Sequence, residues 1–88
     1  MSGQKATEAL AHVRGFAAAG RIQLSSHARA RCRERGLLFA DVQAALSKAH
    51  GCREQDDGRW RVVGDDLGGD ELTAVVVLDD GVLVVTVF

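Results

Sequence analysis

The chain of 88 residues has no proline, two cysteines, one tryptophan and a formal net charge of −1. With no proline, no repeat and no low-complexity linker, nothing marks a boundary between domains. The length suffices for a single domain over residues 1–88 with one modest core. Two cysteines are too few for a disulfide scaffold, so free Cys32 and Cys52 in a reducing cytoplasm are expected, a bridge between them being the alternative. Long apolar runs are missing as well. Glu8, His12 and Arg14 interrupt the first helix, which argues against a secretory leader, and Ala74–Leu78 and Val82–Val85 are far too short to span a bilayer. No membrane partner is expected. The near-zero net charge points to no partner by itself, while an apolar fraction of 47% excludes a disordered composition.

The charge that is present is unevenly spread. Residues 1–53 carry nine Lys/Arg and three Asp/Glu, and residues 54–88 carry two and nine. This polarity suits a basic functional face backed by acidic sheet edges or loops, or a protein with a charged partner on each side. Hydropathy is divided in a similar way. Ala6, Ala9, Leu10, Val13 and Phe16 or Ala17 follow the spacing of one helical face over residues 4–18, and Gly20 is placed to end it. After an extended piece at Ile22–Leu24, Ser25 or Ser26 offers an N-cap and Gly36 a stop for a second helix. A third runs from Phe39 to Ala49 with Phe39, Val42, Leu46 and Ala49 as its buried stripe and Asp41 in the first turn.

Beyond Gly51, Arg59–Val63, Leu72–Leu78 and Val82–Phe88 have strand composition, and Asp79-Asp80-Gly81 marks a hairpin. The last two strands are apolar on nearly every residue and should be central in their sheet or covered on both sides. The expected architecture is α+β, with N-terminal helices packed on one face of an antiparallel β-meander.

The chemistry concentrates in SSHARARCRERG, residues 25–36. At about 100° per helical residue, His27, Arg31 and Arg35 form one row, Arg29 and Arg33 a second, with Ala28 and Cys32 between them. A histidine in the first turn, beside arginines and the positive end of the helix dipole, is disposed to be a neutral base. Arg31 and Arg35 are spaced to hold a phosphate. That is the minimum equipment for RNA cleavage without metal: the base takes the ribose 2′-hydroxyl proton, the oxygen attacks the adjacent phosphorus, and arginine stabilises the oxyanions. The plain alternative is a solvated arginine face, with a structural histidine and Glu34 paired to Arg31.

Ser25, His27, Ala28, Arg31, Glu34, Arg35, Gly36, Leu37, Asp41 and Val42 together resemble the opening signature of a family of small bacterial domains of unknown function. VLVVTVF resembles that family's closing strand. The likeness spans Arg21 to Phe88 and leaves residues 1–20 as a variable helix. Members resemble RelE-, BrnT- and MqsR-like ribonuclease toxins, some of them paired with zinc-finger antitoxins. The resemblance implies a RelE-like fold, an mRNA-interferase activity with His27, Arg31 and Arg35 as its catalytic group, and RNA and an antitoxin-like protein as partners. The alternative is a non-catalytic module on the same fold, docking an acidic protein or a nucleotide through the basic helix.

Arg59, Arg61 and Thr86 are the further candidates for RNA contact, Thr86 as the one polar handle on a last strand without a basic or aromatic pair. Trp60, between two arginines, would stack a base or, by strand alternation, sit in the core with Val62 and Gly64; alternation favours the core. His50 and Cys52 with Cys32, and His12 or His27, match no standard zinc spacing, so no metal and no cofactor is expected.

Overall fold

Among the described side chains, Ala9, Val13 and Ala17, spaced by fours, are the ones that the first helix buries. A computed structural model describes residues 2–88 and gives α1 (Ser2–Ala18), β1 (Ile22–Leu24), α2 (Ser26–Arg35), α3 (Phe39–Ser47), β2 (Gly51–Glu54), one 3-10 turn (Asp56–Gly58), β3 (Trp60–Asp65), β4 (Glu71–Leu78) and β5 (Val82–Val87). Helix α1 stops where Gly20 turns left-handed at φ 78 and the Arg21 N–H reaches back 2.8 Å to the Phe16 carbonyl.

The fold is α+β, but the sheet is mixed. Its order is β1-β5-β4-β3-β2. β2 to β5 form an antiparallel meander, and β1 joins it parallel to β5 with Ile22 opposite Val82. The antiparallel meander is the one expected from sequence; the parallel pairing of β1 is an addition to it, which a strand can make only after a long crossover. Everything from α2 to β4 supplies it.

The helices cover one face. Trp60, Val62, Leu72, Ala74, Val76, Val82 and Val84 are buried there with Val13, Val42 and Leu46. Trp60 is thus a core residue, as alternation along β3 requires. Gly64 lies where α3 crosses β3: a Cβ there would come within 2.7 Å of the Ala45 carbonyl carbon and closer still to its oxygen. Phe39 departs from the expected stripe and is 46% exposed. At the first helical position its side chain leans toward the N-terminus, off the packed turns, and Ala45 is buried in its stead. Leu38 cannot cap α3, so Asp41 acts from within the helix: its Oδ2 accepts the Leu38 N–H at 2.9 Å.

The opposite face of the sheet is open. β4 and β5 are interior strands, yet their second rows, with Val75 and Val77 half-buried and Leu83 39% exposed, have no helix above them. Being apolar on both sides therefore reflects an interior place in the sheet, without cover on both faces.

Candidate nucleic-acid interface

Helix α2 is set by its caps. Ser25 is extended (φ −64, ψ 163), its Oγ accepts the Ala28 N–H at 3.0 Å, and Gly36 closes the helix at φ 70. Ala28 and Cys32 are its buried residues, the narrow stripe expected between two basic rows. So small a stripe buries little area, and polar contacts to β5 hold the helix. The Ser25 N–H donates to the Val84 carbonyl at 2.9 Å, the Ser25 hydroxyl to the Val85 carbonyl at 2.7 Å, and Arg31 Nε to the Val87 carbonyl at 3.3 Å. β1 pairs with β5 only as far as Val84. Ser25 and Arg31 thus cover carbonyls of β5 where its strand neighbour has run out.

His27, Arg31 and Arg35 do form one row, four residues apart on the same helix. They are not equivalent. His27 and Arg35 are exposed and, among the described residues, make no hydrogen bond or ion pair. Arg31 is tied to β5 and lies 3.7 Å from Glu34, an exposed pair that contributes little. One of the three positions in this row is therefore partly structural. In the second row, Arg29 Nε donates to the Leu24 carbonyl at 3.3 Å, and Arg33 is exposed.

The strand candidates lie on the open face. Register aligns Thr86 with Val75, Val75 with Arg61, and Arg61 with Arg53, a single row across four strands. At about 4.8 Å per strand, Thr86 and Arg61 stand about 10 Å apart. Thr86 faces this way only because of a bulge opposite Val75/Val76. Val82, Val84 and Val87 are the buried residues of β5, so one extra residue intervenes after Val84 and the alternation changes phase. The same phase change brings Phe88 to the open side. Its N–H donates to the Thr73 carbonyl at 2.8 Å, and the Arg61 guanidinium lies 5.1 Å from its ring centre. Arg59 precedes β3, exposed and off the paired row.

Sequence reasoning passed over Arg53 and Phe88. Arg53 lies in a four-residue strand with no alternation to announce it, and Phe88 was counted as part of a last strand without an aromatic partner. Asp56, Asp57, Asp66, Asp70, Asp79 and Asp80 occupy the connections at the two ends of the strands, whereas Asp65 and Glu71, opposite each other in register, stand on the open face four residues along β3 and β4 from Arg61 and Val75.

Other candidates do not assemble. Both cysteines are free, and burial raises each thiol above its ordinary value, Arg35 pulling Cys32 partly back. The Cys32–Cys52 bridge considered above is not formed. His50 Nε2 stands 3.7 Å from Asp65 Oδ1. Among the described residues no three His, Cys, Asp or Glu side chains converge as metal ligands would. Clefts of about 520 and 370 Å³ both flank β1, and neither is lined by His27, Arg31, Arg35, Arg59, Arg61 or Thr86. His27, Arg35, Arg53, Arg59 and Arg61 are exposed at the surface, and neither of these clefts joins His27 to the strand arginines. No helix among the described residues is long and apolar enough to cross a membrane.

Residues 24–88 match the family model described as a domain of unknown function, DUF4258. Helix α1 lies outside the matched stretch. No curated protein and no solved structure matches the chain, so the RelE-like likeness is carried by the sequence reading alone.

Proposed function

The chain belongs to the DUF4258 family, and from that premise we propose that it acts on RNA, as a metal-independent endoribonuclease of the toxin type. The observation that carries the reading is the exposed basic row on α2, in which His27 shares one helical face with Arg31 and Arg35. Arg35 and the outer part of Arg31 hold a phosphate on the helix side; Arg61 and Arg53 offer a separate pair of cations on the open face of the sheet. His27 takes the proton from a ribose 2′-hydroxyl. The oxygen attacks the neighbouring phosphorus, the bond to the 5′-oxygen breaks, and that oxygen leaves with a proton, giving a 2′,3′-cyclic phosphate and a 5′-hydroxyl. An antitoxin-like protein would then cover the same surface.

One observation favours the non-catalytic alternative. Catalytic bases are usually held by a third group, and His27 has no such partner among the described residues. Incubating the purified protein with a single-stranded RNA decides between the two. The nuclease reading expects cyclic-phosphate products from the wild type and none from His27→Ala, with both proteins melting alike. Equal cleavage by His27→Ala would remove that residue from the mechanism. Salt-sensitive binding with an intact RNA ladder would leave the binding module as the function.

A further inference from the structure

We infer that Phe88 and Arg61 form a base-stacking subsite for single-stranded RNA on the open sheet face, an inference that rests on the RNA reading above. The subsite's starting point is an aromatic ring left in water: Phe88 is 46% exposed beside half-buried Val75 and Thr73. Its backbone is pinned to β4 through the Thr73 carbonyl, so the ring is presented from an anchored position. Arg61 reaches across β4 to lie over it. A guanidinium on an aromatic face marks a surface that accepts flat, polarisable groups.

The second observation is electrostatic. Register places Arg53 directly opposite Arg61, and among the described residues neither has an acidic partner. Like charges directly opposed on neighbouring strands destabilise a sheet. A phosphate between them turns that repulsion into a clamp. Together the ring and the arginine pair match the two parts of a nucleotide, the base and its phosphate. A second copy of the chain would bring the same arginines against themselves, and an apolar protein surface would leave both charges unpaired. A duplex keeps its base faces stacked internally, which selects a single strand. On binding, a base stacks on Phe88, and Arg61, displaced from the ring, joins Arg53 on the adjoining phosphate.

The test is fluorescence anisotropy with the full chain and three labelled probes of equal length: a single-stranded oligouridylate, its abasic ribose-phosphate analogue, and a duplex RNA. The expected result is that Phe88→Ala weakens oligouridylate binding about 5- to 150-fold, the range of one lost base stack. Phe88→Trp should retain it, and the abasic probe should bind wild type and Phe88→Ala equally. Melting curves confirm that the variant is folded. Unchanged oligouridylate affinity in Phe88→Ala overturns the stacking subsite while leaving RNA binding in place. An equal loss on the abasic probe, a preference for duplex, or a concentration-dependent dimer abolished by Phe88→Ala overturns it too. Absence of binding to all three probes by the wild type removes the RNA reading itself.

Discussion

Replacing Ser25 by alanine removes two hydrogen bonds with one atom. The hydroxyl oxygen accepts from Ala28 N–H at 3.0 Å, capping α2, and its proton goes to the Val85 carbonyl at 2.7 Å, at the edge of β5. Loss of an N-cap side chain costs about 1 kcal/mol. Loss of an ordinary hydrogen bond costs about another 1 kcal/mol, since half-buried Val85 regains only part of its solvation. The sum of about 2 kcal/mol corresponds to a fall in Tm of about 8–16 °C for a domain of this size. Companion variants separate the two bonds. Ser25→Thr keeps both and should melt close to wild type. Ser25→Gly loses only a few tenths of a kcal/mol as a cap but the whole bond to β5. Ser25→Asp retains a cap acceptor yet sets a carboxylate against the Val85 carbonyl, so it should also lose the second half. Thermal unfolding followed by circular dichroism reads the series. A Ser25→Ala protein within about 0.5 kcal/mol of wild type would refute the dual role, because that is the scatter of featureless surface substitutions. Ser25→Asp as stable as wild type would show that the bond to Val85 contributes nothing.

Gly64→Ala should destabilise the protein by about 1–3 kcal/mol, since the new methyl group collides with the Ala45 backbone rather than a yielding side chain; urea denaturation should show a lower midpoint with an unchanged slope. The cysteines make alkaline pH unfavourable. Burial raises the native thiols above their ordinary value, so the unfolded chain gives up its protons first, the native state holds more protons, and stability falls as pH rises above about 8.5. Full stability should persist below that pH, and Cys32→Ala should flatten the decline; a wild-type Tm unchanged between pH 8 and pH 10 would contradict the burial of these thiols.

Much of the helical half of the molecule was legible from the chain because its signals are local. The spacing of Ala9, Val13 and Ala17, a cap at Ser25 or Ser26 (the structure uses Ser25), the stops at Gly20 and Gly36, and the Ala28–Cys32 stripe each depend on residues within a few positions of one another. Trp60 was placed in the core by the two-residue period of its own strand. Phe39 was placed in the buried stripe and is exposed, because periodicity says nothing about which turn of a helix overhangs the sheet.

The sequence by itself determined the α+β class, that basic residues cluster on the second helix, and that His27, Arg31 and Arg35 share a row. It could not determine partners far apart along the chain. Only the tertiary structure decided that β1 lies parallel to β5, that Gly51–Glu54 becomes a strand by pairing with β3, and that Arg31 is partly engaged at Val87. Above all it decided the face of Thr86 and Phe88. Strict alternation from Val82 and Val84 would bury both, and the extra residue opposite Val75/Val76 turns them outward beside Arg61. A bulge is a property of two strands in register, and its position is absent from either strand alone.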